Sequence, residues 1–124
     1  MDVTPLIPAD RQVIDSYGAA GFHVSGVAYD SAILVFPDRT QPWAVTALAD
    51  ITAETLTPVM ARGDIQILLL GCGRRMQPVT PAVRKALRQA GIVVDAMDTG
   101  AACRTYNVLL AEDRRVAAAL LPAR

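Results

Sequence analysis

IQILLLGCGRRMQPVTPAVRKALRQAGIVVDAM, running from Ile65 to Met97, decides the fold. Its first six residues, Ile65 to Leu70, are aliphatic with no polar alternation after Gln66, the pattern of a strand covered on both faces. Such a strand belongs in the middle of a sheet. Thr80 and Pro81 then open a helix, the threonine as N-cap and the proline at the first helical position. The apolar residues Val83, Ala86, Leu87 and Ala90 share one helical stripe, while Arg84, Lys85, Arg88 and Gln89 face water. Gly91 stops the helix, and Ile92 to Met97 is a second strand. A strand, a helix and a strand in that order form a crossover, which makes the two strands parallel and adjacent or nearly so.

Regular patterning extends in both directions from this core. Downstream, Ala101 to Glu112 is a helix with Tyr106, Leu109 and Leu110 on one stripe, and Val116 to Leu121 is a last strand. Upstream, Gln12 to Val45 holds short alternating apolar runs, Phe22 and Val24, Val27 and Tyr29, Ile33 and Val35. Ser25-Gly26, Asp30-Ser31 and Pro37-Asp38 separate them, so this half reads as mostly antiparallel β. Thr52 is placed to cap a short helix, and Pro58 breaks it, with Thr57 capping a further turn that begins at the proline. The expectation is an α/β fold in a single domain over residues 1–124, with 1–11 an extended N-terminal segment and a small N-terminal antiparallel β layer.

The chain has 124 residues, room for one core and no separate ligand module. Hydrophobic residues make up 52%, a fraction sufficient for a core without metals or disulfides. Twelve basic and twelve acidic residues cancel, so there is no electrostatic footprint for nucleic acid or an anionic membrane. The N-terminus has neither the basic nor the apolar region of an export signal, and no apolar run approaches the ~20 residues that span a bilayer, so a cytoplasmic location is expected. Cys72 and Cys103 are accordingly read as thiols.

The crossover gathers polar residues on one rim. Loops leaving the carboxyl ends of parallel strands share that rim, and ligands of open α/β sheets bind there. The two loops are Gly71-Cys72-Gly73-Arg74-Arg75-Met76-Gln77 and Asp98-Thr99-Gly100-Ala101-Ala102-Cys103-Arg104. Glycine N–H groups turned inward, a helix N-terminus and guanidinium groups could cradle a small anion on Gly71, Gly73, Arg74, Asp98, Thr99 and Arg104. The structural alternative gives the glycines a steric role, leaves Arg74 solvated and uses Asp98 or Thr99 as a helix cap, with Arg104 paired to Asp98. Cys103, near a helix start and beside Arg104, is placed for a lowered thiol pKa, and Cys72 leaves the neighbouring strand on the same rim. Both could instead fill space as small apolar groups. Asn107 is expected to tie the Asp98 loop by hydrogen bonds.

Sharper motifs fall away. Gly71-Cys72-Gly73 opens like a dinucleotide fingerprint, but Met76 stands where the third glycine belongs and the helix starts too late. Asp98-Thr99-Gly100 matches the aspartic protease triplet, yet the residues after Gly100 form a helix and then a strand rather than a long β-rich chain. His23, the only histidine, has Ser25 on its strand face but no nucleophile elbow and no third partner, so it reads as structural. No metal or cofactor set is evident, which leaves catalytic residues unassigned and enzymatic activity the less favoured reading.

The string Met97-Asp98-Thr99-Gly100-Ala101-Ala102-Cys103-Arg104-Thr105-Tyr106-Asn107, with Leu69-Leu70-Gly71-Cys72-Gly73, Gly91-Ile92-Val93-Val94, Val24-Ser25-Gly26 and Trp43, resembles a family of small α/β domains with an MTH938-like fold. That family includes the mitochondrial complex I assembly factor three, and the resemblance runs from about Ile14 to Pro122. It implies three layers around a mixed central sheet whose final strand runs against the others. It also implies Thr rather than Cys between the two glycines, so a dithiol is not a family property. The implied role is assembly through protein contacts. Two readings therefore stand: a noncatalytic interaction or assembly domain with a protein partner, or a binder of a small anion or small molecule at the rim, with enzymatic activity open.

Overall fold

The computed structural model describes residues 10–124; of the extended segment expected over 1–11, only Asp10 and Arg11 fall among them. Three short strands, β1 (Ile14–Gly18), β2 (Gly21–Val24) and β3 (Val27–Tyr29), form an antiparallel sheet in that order. The Asp30-Ser31 turn then carries the chain into a second sheet through β4 (Ile33–Val35) and β5 (Thr40–Pro42). The antiparallel half expected from the sequence is therefore divided between two sheets.

Two short turns of 3-10 helix lead to α1 (Thr57–Met60), where Pro58 sits in the first turn and its missing N–H leaves no bond unmade. Neither expected threonine is the cap residue, since Ala53 precedes the turn Glu54–Leu56 and Thr57 lies inside α1. Thr52 instead closes on Thr55, its N–H donating to Thr55 Oγ1 and the Thr55 N–H to Thr52 Oγ1. The crossover comes next as β6 (Ile67–Cys72), α2 (Pro81–Gln89) and β7 (Val93–Met97), and the chain closes with α3 (Thr99–Ala111) and β8 (Val116–Leu121). Thr80 caps α2 by accepting from the Val83 N–H at 3.4 Å.

The five-stranded sheet has the order β5-β4-β8-β6-β7. β6 and β7 pair in parallel from Ile67 with Val93 to Gly71 with Met97, as the crossover requires. The last strand corrects the expectation: β8 runs parallel to β6 and antiparallel only to β4, and β5 is antiparallel to β4 in turn, so β4 is the one reversed strand of this sheet. The central position also belongs to β8, whose six residues are all buried. A run as short as Val116–Leu121 shows its burial in its composition, but its direction depends on neighbours that are remote in sequence.

Side-chain alternation in β6 and β8 divides the interior in two. Leu68, Leu70, Ala117, Ala119 and Leu121 face α2 and α1, packing on Val83, Leu87, Leu56 and Val59. Leu69, Val116, Ala118 and Leu120 face the opposite way, onto Tyr106, Ala102 and Leu110 of α3 and onto Phe22 and Val24 of β2. The result is three layers, with helices on one side of the large sheet and a helix plus the small sheet on the other. β6 starts two residues later than the sequence suggests, because the Gln66 and Ile67 N–H groups both reach Arg115 O before the ladder begins. It also continues through Gly71 and Cys72, which pair with Leu120 and Leu121.

Candidate functional site

The rim forms where β6, α3 and β8 converge, and Thr99 joins them. Its side chain is fully buried. Oγ1 accepts from the Gly73 N–H at 2.8 Å and donates to Leu121 O at 2.6 Å, while the Thr99 N–H donates to Gly73 O at 2.8 Å. One hydroxyl thus serves as both donor and acceptor, satisfying groups that burial would otherwise leave unpaired. The approach is close enough to dictate glycine at position 71, where a Cβ would lie 2.8 Å from Leu120 and 3.1 Å from Thr99 Oγ1. Gly73 adopts φ +86, a left-handed conformation that glycine takes without strain.

The next residues cap α3. Asp98 Oδ1 accepts from the Ala101 N–H at 2.9 Å, an N-cap bond that starts the helix two residues before the expected Ala101. Arg104 does not pair with Asp98; its Nη1 donates to the Tyr17 hydroxyl at 2.8 Å. That hydroxyl sits over Gly100, where a Cβ would come within 2.6 Å of it. The N–H groups of Gly73, Thr99 and Ala101 are all bonded within the chain. Of the six residues the sequence placed in an anion cradle, Arg74 and Arg104 are exposed charges; neither makes an ion pair among the described residues, and the Arg104 guanidinium is held by the Tyr17 hydroxyl.

The two thiols are buried on opposite faces of the large sheet, Cys72 with the α2 layer and Cys103 with the α3 layer. They do not share a rim pocket. Burial pushes the Cys72 thiol up, and pushes Cys103 up to about 12; the Arg104 charge opposes this but burial outweighs it. The sequence argument from helix position and a neighbouring arginine therefore gives the wrong direction, because desolvation of the thiolate dominates. Both groups are protonated at neutral pH.

Asn107 differs as well. Instead of the Asp98 loop it holds β1, donating from Nδ2 to Ile14 O at 2.8 Å and accepting from the Ile14 N–H at 3.0 Å. Tyr106 supports the same junction through its hydroxyl, which donates to Gln12 O at 3.1 Å. His23 is exposed, with Nδ1 3.1 Å from Ser16 Oγ, while Ser25 ties the backbone at Val13 and Arg11 rather than facing it. Asp15, the acid nearest in sequence to Ser16, accepts from the Gly26 N–H. Among the described residues no group of three or more His, Cys, Asp or Glu side chains gathers to hold a metal, and no helix is long and apolar enough to cross a membrane.

Sequence reasoning missed Tyr17 and the cleft around Trp43. The cleft holds about 640 Å³, bounded by Trp43, Val45, Cys72, Arg74, Leu121 and Arg124 among others. Trp43 is buried and anchored by its indole N–H, which donates to Thr55 O at 2.8 Å. No local pattern marks either feature, since each is made by residues from distant parts of the chain.

A family model described as a protein of unknown function (DUF498/DUF598) matches residues 14–121. The NADH dehydrogenase (ubiquinone) 1 alpha subcomplex assembly factor 3 of Xenopus tropicalis is 36% identical over 115 residues, covering 92% of this chain and 63% of that protein. The chain thus spans less than two thirds of that curated relative. A crystal structure from Bordetella parapertussis superposes with a TM-score of 0.84 at 40% identity, covering 90% of this chain and 96% of the other. A solution structure from Bordetella pertussis, described as a Mth938-like domain, gives a TM-score of 0.83 at 32% identity, covering 99% and 93%.

Proposed function

The chain belongs to the DUF498/DUF598 family, and from that premise we propose that it is a noncatalytic domain that works by protein contact in building a larger complex. The observation that carries this reading is the closure of the rim. Donors that would converge on a ligand are bonded to each other through Thr99 and Asp98, so the polar residues at the strand ends hold the fold together. The thiols are protonated and buried. Among the described residues no carboxylate, the third group that would orient a catalytic base, is hydrogen-bonded to the exposed Ser16 and His23. The assembly role named for the Xenopus tropicalis relative supports the same reading.

Edge strands offer such a domain a place to dock. Among the described residues β7 pairs on one side only, and Val93 on it is 69% exposed. The test is capture of the chain at native abundance from its own host after brief crosslinking, followed by mass spectrometry of both proteins and small molecules. A protein recovered in fixed proportion across replicates is the expected outcome. Recovery of a small molecule in fixed proportion, without protein, overturns the reading.

A further inference from the structure

We propose that the cleft around Trp43 binds a small amphipathic anion, with its charged head on Arg74 and Arg124 and its apolar tail against the indole. The cleft adjoins the closed rim at Gly73, Arg74 and Leu121, and a ligand in it goes beyond an assembly role. Its volume, about 640 Å³, falls in the range of small-molecule sites, roughly 300–1,000 Å³. Its wall is apolar where Ala32, Trp43, Val45, Leu121 and Pro122 meet it. Cys72, Arg74 and Arg124 also line a second cavity of about 440 Å³, which adds Arg75 and Gln77 and, among the described residues, no acidic one. The two spaces therefore join at the arginines, one mainly apolar and the other polar.

Charge selects the ligand. None of Arg74, Arg75 and Arg124 forms an ion pair among the described residues, whereas Arg62 elsewhere is held by both Asp38 and Asp64. Arg124 is positioned by its Nε, which donates to Ala19 O at 3.0 Å. Among the described residues Asp30 is the single acidic one lining the cleft, and it pairs with none of the three. Guanidinium groups bind carboxylate and phosphate with paired hydrogen bonds, so an anionic head suits this end. A bare inorganic anion would leave the apolar wall of the cleft against water, and a neutral apolar molecule would leave the like charges unneutralised.

Trp43 is the only tryptophan, so its fluorescence reports the cleft directly. The probes are octanoate, octyl phosphate and, as a neutral control, octyl glucoside, each below its aggregation limit. A saturable emission change is expected with octanoate or octyl phosphate, and the relative affinity of the two identifies the preferred head. Arg74→Ala with Arg75→Ala should weaken that binding about tenfold or more through loss of charge-assisted hydrogen bonds. Both arginines are exposed, and an unchanged circular dichroism melt will confirm that the double variant folds. Octyl glucoside binding as tightly as the anions, no saturation by either anion, or full affinity in the double variant overturns the proposal.

Discussion

Replacing Thr99 with valine removes one oxygen and leaves the side-chain volume nearly unchanged. In the native rim that oxygen accepts from Gly73 at 2.8 Å and donates to Leu121 at 2.6 Å, fully shielded from water. A buried polar group left without its partner costs about 1–3 kcal/mol. The Gly73 N–H loses its acceptor outright, while the Leu121 carbonyl keeps its second lone pair and loses less. Thr99→Val should therefore destabilise by about 2–4 kcal/mol. Thr99→Ser keeps the hydroxyl and loses one methyl, worth about 1 kcal/mol. For a chain of this size the valine variant should melt roughly 6–20 °C lower and the serine variant only a few degrees lower. Urea unfolding followed by circular dichroism, with equal slopes checked across the three proteins, measures both. A valine variant within about 0.5 kcal/mol of the parent, or a serine variant as weak as the valine one, would refute the bridging role.

Leu69 is buried between β7 and β8, and Leu69→Asp should cost at least about 3 kcal/mol by placing an unpaired charge in the core, seen as a large fall in the urea midpoint or failure to fold. Asp98→Ala should cost about 1 kcal/mol and Asp98→Asn only a few tenths, since the amide oxygen can still cap α3; equal losses in thermal unfolding would show that charge rather than capping matters. The Cys103 thiol ionises near 9.0 when unfolded and at about 12 when folded, so its stabilising contribution is complete below pH 9 and declines as pH rises towards 12. Burial also raises the Tyr106 hydroxyl above its ordinary 10.0, adding to the alkaline loss. The urea midpoint should fall between pH 8 and pH 11, and Cys103→Ala should shrink that fall; an unchanged fall in the variant contradicts burial of the thiol.

The elements visible in the sequence are those whose signal is local. The Thr80-Pro81 start of α2, the aliphatic run of β6 and the buried run of β8 each come from short-range pattern and capping chemistry. The direction of β8 does not, because a strand buried on both faces has the same composition whichever way its neighbours run. β4 carries a local signal that an alternating reading of Ile33 and Val35 passes over: Ala32 to Phe36 is an unbroken apolar run buried on both faces, unlike the alternating Phe22-His23-Val24 of β2. The identity of its neighbour β8, in contrast, is set by a pairing remote in sequence. At the rim, the Asp98 cap is legible in the sequence because its partner lies three residues away. Asn107 and Arg104 meet partners 93 and 87 residues distant, so nothing near them identifies Ile14 or Tyr17. The thiols mislead for a related reason: helix position and a charged neighbour are local, whereas the burial that overrides them is a property of the assembled sheet.

A chain that works by docking onto protein travels in its native host at the size of the complex it joins. Gel filtration of a gently prepared extract, with immunodetection of the chain at its natural abundance, is compared with the purified 13.2 kDa chain on the same column. Docking requires that the chain in the extract elute as part of a much larger species and return to the position of the purified chain once the complex is dissociated. Elution of the extract chain at the position of the purified one, before any dissociating treatment, would contradict it.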